Sequence, residues 1–444
     1  MNEPVERITA GESERDQRRV AGSLRDRGLG PGNRLALVAG PSAMYLAAVL
    51  GALRSGVVPV LLNPALTGRE ERALLTDAEP ALVLRDEDVP GLLAGPEAEL
   101  APVPLARPMM YTSGTTGTPK GVWSGVLDEA GATALVHDEQ EVWGFERDDV
   151  LLVLSPLHHS APIRFATGTL LAGGEVVLAT PFDAARVAGA IAAERPTLAF
   201  ATPAHLQRLF DLPQLPAFDS FRVLAHAGAP CADGVKRRAL ELFPPGSVWE
   251  FYGSTEGQFT ACSSDEWLAR PGTVGRARPG RELVIEGDGG GAGEQGLVWC
   301  RVPPHARFEY WRDPVKTAAA WEGDAFTVRD VGRLDADGYL YLDGRRDDLI
   351  ISGGVNVYPL EVERVILEHP GVRDAAVFGM ADEQWGQRVC AAVVGAVEPD
   401  DLDAFLRARL ARYKHPKTIV RVDDIPVSAT GKVRRTELAA ALGV

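Results

Sequence analysis

Cysteine is scarce in this sequence, with four in 444 residues. Cys231, Cys262, Cys300 and Cys390 stand far apart with no Cys-x-x-Cys spacing. That argues against a disulfide framework or a thiolate metal cage and leaves reduced thiols, with the cytoplasm as the expected compartment. Long hydrophobic runs are missing too. The longest, Ala43 to Leu53, ends at Arg54 and is too short to span a bilayer. Met1 to Val20 is charged and has no apolar centre, so no secretory signal is expected there. Positive charge is in deficit: 46 Lys and Arg against 61 Asp and Glu leave a formal net charge of -15. A nucleic-acid-binding surface is therefore not expected. An anionic small ligand is still allowed, because phosphate sites are built locally from backbone amides and a few cations.

What is present is ordinary globular material, 45% hydrophobic and 24% charged. The length exceeds what one core usually serves, so two or more domains are expected. Arg34 to Val38, Val57 to Leu62 and Ala81 to Leu84 read as strands, alternating with helices at Met44 to Arg54 and Glu70 to Thr76. The alternation resumes with strands at Val150 to Leu154, Val176 to Leu178, Leu198 to Phe200 and Arg222 to Leu224, and a helix at Ala184 to Glu194. Such a pattern predicts an α/β fold whose largely parallel sheets are covered by helices. After Gly272 strands and turns dominate, at Glu282 to Ile285, Leu297 to Val302 and Tyr339 to Leu342, which predicts a β-rich subdomain. A boundary is expected near Gly344 to Asp348, dividing a large domain (1–344) from a small α+β domain (349–444) through a connection at 345–348. In the small unit Pro359 suits the first turn of a helix that Pro370 stops, and Leu402, Phe405, Leu406 and Leu410 share a helical face. Gly287 to Gly293 reads as a hairpin tip.

Chemistry concentrates in a few segments. Thr112-Ser-Gly-Thr-Thr-Gly-Thr-Pro-Lys-Gly121 packs five hydroxyls, three glycines and a lysine into ten residues. Glycine lets backbone amides turn inward, and hydroxyls with an ammonium suit phosphate oxygens. The spacing is not that of a Walker loop. Gly291-Ala-Gly-Glu-Gln-Gly296 matches the dinucleotide fingerprint in form, but a strand follows it where a helix is required. No serine sits in a Gly-x-Ser-x-Gly elbow. His158-His159 follows a strand; such a pair alone more often packs or faces solvent than reacts. Tyr252-Gly-Ser-Thr-Glu256 offers an aromatic face, two hydroxyls and a carboxylate able to ligate Mg²⁺.

Taken in order, these segments resemble the adenylate-forming superfamily of acyl- and aryl-CoA synthetases, luciferases and peptide-synthetase adenylation domains. The resemblance also rests on Asp330 with Gly338-Tyr-Leu-Tyr-Leu-Asp-Gly-Arg345, Asp347-Asp-Leu-Ile-Ile-Ser-Gly-Gly354, Asn356-Val-Tyr-Pro-Leu-Glu361 and Pro426-Val-Ser-Ala-Thr-Gly-Lys432. It implies an N-terminal domain that binds ATP and the acid, and a small mobile C-terminal domain carrying a catalytic lysine, Lys432. Thr112, Ser113, Gly114, Thr115, Thr116, Gly117 and Lys120 would surround the β- and γ-phosphates. Gly228, Ala229, Pro230 and Tyr252 would bound the adenine, and Thr255 would lie near the α-phosphate. Glu256 would hold Mg²⁺. Asp330 would accept from the ribose hydroxyls, Arg345 would reach the same nucleotide, Asp347 would be the hinge, and His159 would gate the acid pocket.

The implied activity is ATP-dependent formation of an acyl-adenylate followed by transfer to coenzyme A. Ser352-Gly-Gly354 and Asp382-Glu-Gln-Trp-Gly386 resemble CoA-ligase sequence. A non-CoA acceptor such as an amine or carrier protein, activation of an oxyanion such as nitrite, or a non-enzymatic nucleotide-binding role are the alternatives. Intact Glu256, Asp330 and Lys432 speak against the last. The stretch Leu157 to Phe165 has no carboxylate to hold an amino group. Ala161, Ile163, Phe165, Ala204, Ala227 and Ala229 suggest a mostly apolar acid pocket, while His158, His159 and Arg164 suit a second polar group. The partners expected are ATP and a small acid, with no nucleic acid and no membrane span, and a homodimer is the oligomer to test. Two departures stand out: Val328-Arg329 precedes Asp330 where the family usually has Thr-Gly, and the N-terminal half is short.

Overall fold

The computed structural model describes residues 5–112, 119–286, 293–352, 355–382, 384–427 and 433–442, with the side chains of 347, 436, 441 and 442 outside that description. Among the described residues the strands form four sheets. In the first, Glu175–Leu178, Val150–Val153, Leu198–Ala201, Val223–His226 and Val248–Glu250 run parallel, and antiparallel strands close both edges. In the second, Leu82–Arg85, Arg34–Val38, Val58–Leu62 and Met109–Thr112 are parallel, and Lys120–Trp123 and Glu309–Tyr310 extend them antiparallel.

The strict alternation of side chains in a strand decides what each face meets. Leu151 and Val153 enter a core shared with the second sheet, while Leu152 and Leu154 enter a core on the opposite face. The shared core also takes the helices Ala43–Arg54 and Ser160–Ala172, and the opposite one takes Ala184–Glu194, Pro203–Phe210 and Asp233–Leu242. These strands are covered on both sides, which is why they read as unbroken apolar runs.

The third sheet is wholly antiparallel and is built around Gly296–Arg301, with Glu282–Glu286, Asp330–Leu334 and Leu340–Arg345. The fourth is dominated by the long hairpin of Val372–Asp382 and Gly386–Gly395. Its faces again part by alternation: Val377, Val389 and Val393 pack with Leu402 and Leu406, while Phe378, Cys390 and Val394 pack with Ile425 and Leu438. The predicted fold class stands. The helix carrying Leu402 ends at Arg407, so Leu410 lies beyond it, yet still packs on the same core. Of the glycine-rich patch, 287–292 lie outside the described residues, and antiparallel strands flank it. Among the described residues no helix is long and apolar enough to cross a membrane.

Candidate active site

Four segments singled out in the sequence leave the carboxyl ends of parallel strands. The hydroxyl-rich loop leaves Met109–Thr112, the histidine pair follows Val150–Val153, Gly228 to Pro230 follow Val223–His226, and Tyr252 to Glu256 follow Val248–Glu250. Ligands of α/β sheets gather at such ends, where loops and helix N-termini present free amides.

Asp330 opens its strand directly opposite Arg345. Arg345 Nε lies 3.1 Å from Asp330 Oδ1, and Tyr252 Oη donates to Asp330 Oδ2 at 2.5 Å. Side chains from two distant segments thus converge on one carboxylate that is 8% exposed. Burial, and then the Asp330 charge, push the Tyr252 phenol well above its ordinary value, so it remains a donor. Burial works most strongly against the Arg345 charge, but Asp330, with Asp348, Tyr252 and Glu256 adding to it, holds the guanidinium above its usual range. Arg329, directly before Asp330, has φ +68°, a left-handed conformation that glycine adopts more readily. The turn survives without glycine because Arg329 N donates to Thr327 Oγ1 at 3.0 Å and Arg329 O accepts from Arg346 N at 3.0 Å. Gly228 also has a positive φ, +95°, and a Cβ there would have room, with Thr202 Cγ2 nearest at 3.8 Å. Backbone geometry, not space, favours glycine at that position.

Glu256 is 7% exposed. Its Oε1 accepts from Tyr310 Oη at 3.0 Å, and Lys120 Nζ lies 4.8 Å from the centre of the Tyr310 ring. Arg107 Nη1 donates to the Glu256 carbonyl at 3.1 Å. Tyr310 and Arg107 were not anticipated, since they reach Glu256 only through long-range strand pairing and carry no local signal. A buried carboxylate near Lys120 fits the expectation of Mg²⁺, which takes one or two carboxylates and completes its shell with phosphates and water. Among the described residues no group of three or more His, Cys, Asp or Glu could hold a metal. Thr112 pairs in register with Lys120 at the base of the segment expected to bind phosphate. Ser113, Gly114, Thr115, Thr116 and Gly117 lie outside the described residues, as do Lys432 and the side chain of Asp347.

His159 is the N-cap residue of Ser160–Ala172, and its ring centre is 4.3 Å from that of His158. Burial, then His159, hold His158 down to about 3. Burial, then Arg208 and His159, hold His205 down to about 4. A cavity of about 60 Å³ lies beside Thr255. Of the six residues expected to form an apolar acid pocket, Ile163 lines it. Phe165 instead belongs to the core, its ring centre 4.9 Å from that of Trp143. The cavity wall carries Arg107, Arg164, Arg281 and Glu139 among apolar residues such as Met110, Val122 and Leu135; of these charged groups the sequence pointed only to Arg164.

The chain matches the family model of the AMP-binding enzymes over residues 2–107 and 107–311, and that of the AMP-binding enzyme C-terminal domain over 361–432. It is similar to a long-chain fatty acid–CoA ligase of Mycobacterium tuberculosis, 32% identical over 463 residues, covering 95% of this chain and 90% of the relative. A 2-succinylbenzoate–CoA ligase of Geobacillus kaustophilus is 35% identical over 418 residues, covering 86% and 82%. Among solved structures, o-succinylbenzoate CoA synthetase of Bacillus subtilis in complex with its acyl-adenylate intermediate aligns with a TM-score of 0.85 at 28% identity, over 96% of this chain and 92% of that one. By sequence and by architecture, this chain belongs to the AMP-binding enzyme family.

Proposed function

We propose that the protein joins a carboxylic acid to AMP at the expense of ATP and then passes the acyl group to coenzyme A. The observation that carries this reading is the convergence of Tyr252 and Arg345 on Asp330, a set suited to a nucleoside, with Tyr252 in the same short segment as Thr255 and Glu256. In the first half-reaction a carboxylate oxygen attacks the α-phosphorus, and the bond to pyrophosphate breaks. Two anions approach one another, so fixed cations must offset the growing charge. Lys120 and the loop Thr112 to Gly117 surround the β- and γ-phosphates, Thr255 lies near the α-phosphate, and Lys432 enters from the C-terminal domain. Gly228, Ala229 and Pro230 bound the adenine beside Tyr252, and His159 borders the acid. Glu256 would hold Mg²⁺, which when bound offsets phosphate charge. In the second half-reaction the CoA thiolate attacks the acyl carbon and AMP leaves. The two steps need different groups at the same adenylate, so the unit 349–444 turns against 1–344 about Asp347. The four free cysteines fit a cytoplasmic protein, and a homodimer is the assembly to test by light scattering.

Pyrophosphate exchange across a panel of acids and nitrite, with and without CoA, tests the reading. Acid-dependent exchange together with a CoA thioester product supports it, and transfer only to an amine or carrier protein would replace the acceptor. Lys432→Ala is expected to slow adenylate formation by about 10²–10³-fold while largely sparing thioester formation from supplied acyl-adenylate. Equal loss in both steps would remove Lys432 from its assigned role.

A further inference from the structure

The cavity beside Thr255 has an unusual wall. Three guanidiniums, from Arg107, Arg164 and Arg281, line it with one carboxylate, Glu139, and with Ser124 and Ser160, while Met110, Val122, Leu135 and Ile163 are among its apolar lining. Arg278 and Asp138 stand close behind. Arg164 Nε lies 3.4 Å from Glu139 Oε2, and Arg278 Nη1 takes the other oxygen at 3.0 Å. Arg281 Nη2 meets Asp138 Oδ2 at 2.7 Å, and His305 Nε2 shares that oxygen at 3.0 Å. Arg107 spends its donors on the carbonyls of Glu256 and Arg307. The carboxylates of Glu139 and Asp138 are thus committed, and positive charge remains in excess.

Donors remain over as well. Arg164 Nη2 and Arg281 Nε are buried without a hydrogen-bond partner among the described residues. The Arg281 side chain is 5% exposed and that of Arg164 is 18% exposed. Leaving buried guanidinium donors against hydrocarbon is costly, whereas a planar oxyanion matches their fork geometry. The cavity, about 60 Å³, can hold such a group, since a single water needs roughly 10–15 Å³. Burial, and then repulsion from Arg164 and Arg281, depress the Arg107 guanidinium to about 10, which an added negative charge would relieve.

We propose that this cavity is an anion subsite of the acid pocket, taking a second carboxylate on the substrate, so that the acids activated are dicarboxylic. The proposal rests on the adenylation reading, which places the reacting carboxylate near Thr255. Arg164 is its central residue: it sits one turn into Ser160–Ala172 and holds a free donor on the cavity wall. An unsubstituted fatty or aryl acid would instead set an apolar end against Arg164.

The test compares acid-dependent pyrophosphate exchange for straight-chain and aromatic dicarboxylic acids with that for their monomethyl esters, which keep the shape and lose one charge. For the best-fitting acid, kcat/KM should exceed that of its ester by at least about 30-fold. Arg164→Gln should bring the ratio near one, and Arg164→Lys should restore part of it. Esters or plain monocarboxylic acids that match the diacids in the unmodified protein overturn the subsite, whether or not the variants fold. Exchange with no acid at all defeats the adenylation reading instead. Calorimetric titration of the same diacids then decides the subsite: binding at least about tenfold weaker in Arg164→Gln supports it, and absent or equal binding overturns it.

Discussion

At the scale of single residues, the carboxylates proposed for the ribose and for Mg²⁺ are each held by a tyrosine, Asp330 by Tyr252 and Glu256 by Tyr310. Asp330, Glu256, Tyr252 and Arg345 were legible because each sits in a short motif of distinctive composition. Tyr310 and Arg107 were not, because an ordinary side chain acquires its partner only when distant strands pair. The depressed histidines give a pH prediction. Unfolded, His158 and His205 titrate near 6.5; folded, they resist protonation to about 3 and about 4. Their contribution to stability is therefore complete above about pH 6.5 and is lost as pH falls toward the folded values. Between about pH 7 and pH 5 each should cost about 1–2 kcal/mol. Denaturant unfolding at the two pH values should show a smaller loss for His158→Asn than for the unmodified chain. An identical loss would place the acid sensitivity elsewhere.

Secondary-structure elements were legible where one period was clean. Every parallel strand named from the sequence is present, and the helix Ala184–Glu194 has the bounds expected. Helix Ala10–Asp26 went unread because its buried face mixes polar groups with apolar ones: Ser13 and Gln17 sit beside Val20 and Leu24. Gln17 Nε2 donates to Ser13 Oγ at 2.9 Å, and its Oε1 accepts from the buried Arg54 at 2.7 Å. Such a face is apolar only after pairing. Helix Glu129–Trp143, which carries Asp138 and Glu139, was missed for the same reason: its inward carboxylates are neutralised by arginines from elsewhere in the chain. Helix Pro399–Arg407 is the contrasting case. Leu402 and Leu406 are fully buried against the fourth sheet, so Leu402→Ala should destabilise that unit by about 2–4 kcal/mol. Chemical denaturation should show an earlier transition than in the unmodified protein, and a midpoint unchanged by the substitution would contradict the packing.

At the scale of the whole molecule, the proposed pivot lies in the connection between the third and fourth sheets. Arg435 reaches Asp348 at 2.9 Å and Glu363 at 2.8 Å, tying the last helix, Arg435–Leu442, to the segment just after Asp347. If the unit 349–444 turns about Asp347 between half-reactions, fixing φ there should arrest it in one arrangement. Asp347→Pro is expected to slow one half-reaction at least about tenfold more than the other. Measuring adenylate formation and thioester formation separately checks this, and parallel loss of both would mean that the residue does not act as a pivot.

By itself the sequence determined the α/β class and the family, because strand periodicity and short motifs are local properties of the chain. Tertiary structure decided which side chains line the cavity beside Thr255. The sequence pointed to alanines and isoleucine for an apolar cleft and to Arg164 for a polar group, and folding brought Arg107 and Arg281 to the same cavity as Arg164 from distant stretches of sequence. Charge balance among buried groups depends on which side chains meet, and only the packed chain settles that.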